Sequence, residues 1–127
     1  MKDQITIKML ENIISETKAF IERIENAKIK YSLVSHGFVV WNPVAGMPLS
    51  FTFKELPNGR KQATGGGVAG ILFAEHYTKA DATALATDTL CGPDKVPAVA
   101  MFINDAIDMT IESQNEHIAN MEKLLAA

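Results

Sequence analysis

Residues 59–70 read GRKQATGGGVAG, and Gly65 to Gly70 satisfy G-x-G-x-x-G, the spacing of a dinucleotide-binding turn. The stretch decides the fold because its two readings demand different neighbours. A dinucleotide fingerprint follows a buried strand and opens a helix inside a βαβ unit. Here the residues before Gly65 are Arg60-Lys61-Gln62-Ala63-Thr64, which are polar and follow a turn signal at Asn58-Gly59. No second parallel strand fits before the next helix, whose start is marked at Thr78, and Asp88 falls inside that helix. No Gly-Lys-Ser/Thr follows, so a P-loop is excluded as well.

The remaining reading is an antiparallel hairpin. Asn58 and Gly59 both tolerate the positive φ of a type I′ turn. A two-residue loop there pairs Pro57 with Arg60, and so sets Phe53 opposite Thr64 and Phe51 opposite Gly66. A phenylalanine laid over a cross-strand glycine covers bare backbone. Val68 then stands beside Leu49. The glycines mark a bulge or sharp bend ahead of Ile71-Leu72-Phe73.

Working outward, the hairpin's first strand is Leu49, Phe51 and Phe53 alternating with Ser50, Thr52 and Lys54. Phe38-Val39-Val40-Trp41 precedes it as another strand, closed by Asn42-Pro43. Before that, Ile29, Tyr31 and Leu33 alternate over 29–34, with a turn at Ser35-His36-Gly37. Residues 3–28 carry Met9, Ile13, Phe20 and Ile24 at helical spacing, a long N-terminal helix. On the other side of the hairpin, Thr78 is an N-cap with Asp81 in the first turn, and Gly92-Pro93 ends that short helix. Pro97 suits the first turn of a last helix over about 98–125, bearing Ile103, Ile107, Ile111, Ile118, Met121 and Leu125. The fold class is therefore α+β, a single domain over residues 1–127, with an antiparallel meander of about four strands between two long helices.

About 28 helical residues at ~1.5 Å each span roughly 42 Å. A compact chain of this length is about 36 Å across. The apolar ridge past Ile111 is thus expected to overhang its own domain and to be covered by a second copy of the chain, making a homo-oligomer.

Composition excludes several functions. The net charge is −3 with only two arginines, Arg23 and Arg60, so a general nucleic-acid surface is not expected. A single cysteine, Cys91, forms no internal disulfide and no CxxC motif. No apolar run is long enough to span a bilayer, and MKDQITIKMLENII lacks a secretory core, which points to the cytoplasm. His36, His76 and His117 lack a companion ligand at metal spacing, and no serine sits in a nucleophile elbow. Asp105, Asp108, Glu112 and Glu116 read as a solvated helix face. Cys91, placed at a helix C-terminus, reads as structural. No catalytic residue, metal or cofactor is therefore expected, and the chain is not read as an enzyme.

What is left suits binding. Arg23, Arg60 and Lys61 offer positive charge, Phe73 and Tyr77 stacking faces, and Thr89 and Asn104 hydrogen bonds. Helix N-termini at Lys79 and Ala98 offer free N–H groups to an anion.

With its small size, this order of elements, a lack of catalytic groups and an expected oligomer, the chain resembles phage-encoded anti-defence proteins. Among them it resembles the Thoeris anti-defence sponges of the first type. The resemblance is one of size and arrangement along the chain and carries no functional residue with it. It implies a non-catalytic protein that sequesters a small cyclic nucleotide in a homo-oligomer in the host cytoplasm. The other expectation is an interaction protein that inhibits a host defence complex, as anti-CRISPR proteins do, or a structural oligomer.

Overall fold

The computed structural model describes residues 3–30 and 36–127. The chain is α+β. Its elements are α1 (Gln4–Asn26), β1 (His36–Asn42), β2 (Met47–Glu55), β3 (Lys61–Val68), β4 (Tyr77–Thr78), α2 (Lys79–Thr87), β5 (Leu90–Cys91), β6 (Val96–Pro97), β7 (Val99–Phe102) and α3 (Ile103–Ala126). Two compact units divide it, one of α1 with Ile107–Ala127 and one of Ile29–Ala106.

In the second unit β1 is the central strand of an antiparallel sheet. Val40 pairs with Leu49 of β2 on one edge and with Ala100 of β7 on the other. Phe38 pairs with Tyr77 of β4 and with Phe102 of β7, so β4 shares the β2 edge at the other end of β1. Bracketed on both edges, Val39 and Val40 are fully buried. One face of the sheet meets α2, where Val40, Leu49 and Tyr77 pack with Ala82 and Ala86. Alanine at those two positions, one turn apart, lets the helix lie close to the strands. The helix begins as its sequence dictates, with the Asp81 N–H donating to Thr78 Oγ1 at 3.1 Å.

The hairpin is confirmed and its turn corrected. It is not a two-residue type I′ loop. The Gly59 N–H donates to the Leu56 carbonyl at 2.9 Å and the Leu56 N–H to the Arg60 carbonyl at 2.7 Å. Gly59 alone of the turn residues has positive φ, at +81°. This is a turn over Leu56–Gly59 closed by a left-handed glycine, the common longer alternative. It shifts the register by one, so Phe53 faces Ala63 and not Thr64. A bulge at Thr64 then absorbs the shift, and Phe51 faces Gly66 and Leu49 faces Val68, as the sequence implied. A Cβ on Gly66 would lie 2.8 Å from the Ser50 carbonyl oxygen and 3.1 Å from the Phe51 ring. Phe51 does cover that glycine.

Four other expectations are revised. The strand read over 29–34 falls mostly on 31–35, outside the described residues, while Ile29 and Lys30 are not in a strand. His36 and Gly37 belong to β1 and form an irregularity in its pairing with β4, not a turn. The short helix stops at Thr87, well before Gly92-Pro93, and Cys91 lies on β5. The last helix starts at Ile103, because residues 99–102 form β7 along β1, and no helix N-terminus exists at Ala98.

In the first unit both helices carry a seam of period 3.5. On α1 the buried or half-buried positions include Ile7, Leu10, Ile14, Thr17, Ile21 and Ile24. On α3 they include Ile107, Ile111, Gln114, Ile118, Met121 and Leu125. Steps of three and four residues gather the less exposed side chains of each helix into one stripe along it. The ion pair of Lys28 with Asp108 joins the end of the first helix to the beginning of the second. α3 runs unbroken through 113–115. Beyond Ile111 the ridge holds Ile118 at 7% exposure, with Met121 and Leu125 half-buried.

Candidate functional site

The described residues leave one continuous groove of note, on the α2 side of the β2–β3 hairpin. It consists of three adjoining cavities of about 480, 420 and 400 Å³. Phe51, Ala63, Asp88 and Thr89 are shared by the first two, and Phe53, Lys61, Ala84 and Leu85 by the second and third.

The groove follows from local sequence. Phe51 and Phe53 alternate onto the same face of β2, their ring centroids 6.4 Å apart. Opposite them β3 presents Gly66 and Ala63, which have little or no side chain to fill the space. α2 lies over β1, β4 and β7, then ends. Thr83, Thr87 and Thr89 donate their hydroxyls to carbonyls one turn back, tightening this helix and its exit. Asp88 and Thr89 are carried from there into the groove wall, and β5 follows with Leu90 and Cys91. Gly92, with φ +71°, turns the chain into β6.

The outer side of the hairpin is open. All eight residues of β3 are exposed, and β2 is the strand it pairs with. At Gly67 a Cβ would meet nothing within 4 Å, and the backbone there lies outside the positive-φ region. Nothing within the described chain requires a glycine at that position.

The polar chemistry of the groove is mostly acidic. Glu75, Asp81 and Asp88 line it against one cation, Lys61. Lys61 stands directly across from Glu55. The Tyr77 hydroxyl donates to Glu75 Oε2 at 3.0 Å, and burial, with that bond second, holds its phenol well above the ordinary range. Tyr77 as a whole is 9% exposed. No group of three His, Cys, Asp or Glu able to hold a metal occurs among the described residues.

Of the residues chosen from sequence, Lys61, Tyr77 and Thr89 meet in this groove. The other four do not line it. Arg60 lies in the hairpin turn, its N–H on Asn58 Oδ1 at 3.0 Å. Phe73, 86% exposed, sits in a turn after β3. Arg23 belongs to the helical unit, its guanidinium 5.8 Å from the Phe20 ring centre. Asn104 is committed internally, accepting from the Ile29 N–H at 2.8 Å and donating to the Ile29 carbonyl at 2.9 Å. Sequence reasoning missed Phe53, Asp88 and Leu90 as lining residues. The alternation of β2 could have found Phe53; Asp88 and Leu90 were hidden by extending the helix past Thr87.

No family model matches the chain, and no curated protein or solved structure matches it. No described helix is long and apolar enough to cross a membrane.

Proposed function

We propose that the chain is a non-catalytic interaction protein that holds an extended polypeptide segment along the outer edge of β3, over the aromatic groove. The observation that carries this reading is β3 itself, a strand exposed over its whole length, with no second pairing partner among the described residues, beside the groove. An open edge offers a row of main-chain donors and acceptors that a foreign strand satisfies, while pockets beside it take alternate side chains. Such edges are normally protected, and the first half of β3 is, by Lys61 and the bulge at Thr64. The second half, Gly65 to Val68, has no such protection, and its glycines permit close approach by another backbone. Exposed apolar side chains adjoin it, Val68 at 53% and Leu90 at 58%.

The test is amide NMR with a synthetic peptide of alternating threonine and valine. Shifts confined to Gly65–Val68 and to the 88–91 segment support the reading; shifts elsewhere or none at all overturn it.

A second reading, the sequestration of a small cyclic nucleotide, draws on Lys61 and the 39%-exposed Phe53 lining the same cavities. Three carboxylates against one lysine oppose an anionic ligand there, which is why it ranks second. Thermal shift with a panel of cyclic nucleotides decides it. A ligand at 100 times its Kd adds about 2.7 kcal/mol of stability. Stabilisation by a nucleotide, with no response to the peptide, would put this reading in place of the first.

A further inference from the structure

We infer that the segment held beside β3 carries a basic side chain two residues from an apolar one, and that the basic group seats against Asp88. This rests on the edge-pairing reading and names the chemistry of its occupant. Three features point the same way. Asp88 lines two of the three cavities, the two that hold Phe51 and Ala63, and makes no ion pair among the described residues. It is also the C-cap of α2, at the negative end of the helix dipole, which favours a cation. Further along the groove Glu75 and Asp81 extend the same sign, while Lys61 has Glu55 across the strand.

An added strand presents alternate side chains to the groove face, about 6.6–6.8 Å apart. One of them over the cleft edged by Val68 and Leu90 is matched by an apolar group. The next, two residues on, reaches the end of α2 and is matched by lysine or arginine. Acidic segments are rejected at the same place by like charge.

Four capped peptides test this against the full chain by titration calorimetry at low salt. The first is Thr-Val-Thr-Lys-Thr-Val; the second has Glu for Lys; the third has Gln for Lys; the fourth is the Lys peptide N-methylated at alternate amides. The expected order is Lys over Gln over Glu, with about fivefold between Lys and Gln. The N-methylated peptide should not bind. In Asp88→Asn the preference for Lys over Gln should collapse, with the fold verified by circular dichroism. Equal binding of the first three peptides overturns the inference and leaves edge pairing standing. So does a Lys preference that survives in Asp88→Asn. No binding by any peptide, or undiminished binding after N-methylation, overturns the edge-pairing reading itself.

Discussion

β1 and β3 belong to one sheet and differ in nearly everything else. β1 has a strand on each edge and a helix on one face, and its Val39 and Val40 are fully buried. β3 has a strand on one edge and no buried residue. The composition of β1 is explained from inside the protein, because Phe, Val, Val and Trp are what a doubly flanked strand must contain to hold a core. That of β3 is explained only in part. Gly66 answers to Phe51 and the Ser50 carbonyl, but Gly67 answers to nothing in the described chain. Glycine in a strand costs about 0.5–1 kcal/mol relative to alanine. A cost with no internal return directs attention to what lies outside the strand.

The contrast is broken most directly by matched truncations. Val40→Ala should lower stability by about 2–3 kcal/mol, from lost transfer energy plus an incompletely collapsed cavity. Val68→Ala, at the open edge, should change it by no more than about 0.5 kcal/mol. Urea unfolding of the two variants is sufficient. If Val68→Ala cost as much as Val40→Ala, β3 would have to be covered by something in the free protein, and the open edge would not exist.

The glycines sharpen the contrast within one strand. Gly66→Ala drives a methyl toward backbone on β2 that has no rotamer to yield, and should destabilise by about 1–3 kcal/mol. Gly67→Ala puts its methyl in open space on a compatible backbone, and should stabilise by about 0.4–1 kcal/mol by stiffening the unfolded chain. The same Gly67→Ala change is expected to weaken binding of the threonine–valine peptide. A variant that is more stable yet binds less well is what an externally required glycine predicts; unchanged binding would leave Gly67 without a role.

How far the sequence carried these conclusions depends on range. Local patterns were legible: the existence of α1, the alternation of β2 and the Thr78 cap, although the stripe read on α1 began at Met9, which is 58% exposed, and the less exposed side runs from Ile7 through Leu10 and Ile14. The Phe51–Gly66 pairing came out right although the turn did not, because the longer turn and the bulge at Thr64 each displace the register by one and cancel. β7 was not legible. Val99, Phe102, Ile103 and Ala106 continue the helical spacing of α3 backward, and only pairing with a strand about 60 residues away in sequence makes 99–102 extended. The groove suffered from the same error of extension, since a helix carried past Thr87 hides Asp88 and Leu90. Arg60, Phe73 and Asn104 were chosen for chemical type, which says nothing of direction: one lies in a turn, one points to solvent, and one clamps Ile29.

The smallest effect compares the two units through pH. Lys28 bonds to Asp108 first and Glu25 second, which raises its ammonium pKa above 10.5 in the folded chain. A raised folded value means the contribution is complete below the unfolded pKa and is lost as pH rises through the folded one. Tyr77, in the sheet unit, also titrates late. Its phenol is held above the ordinary 10.0, so the unfolded chain ionises first and stability falls as pH climbs past that point. The two losses overlap, and a single melting curve against pH confuses them. Asp108→Asn separates them, since it removes the first partner of Lys28 and leaves Tyr77 alone. The difference in urea midpoint between wild type and this variant should be small, because the pair is at the surface. It should be present at pH 8, shrink above pH 10.5, and shrink also in 0.5 M salt at pH 8. The part of the remaining decline that comes from the sheet unit is the part Tyr77→Phe should remove. A wild-type advantage over Asp108→Asn that persists unchanged into strongly alkaline solution would mean that Asp108 acts through something other than the charge on Lys28.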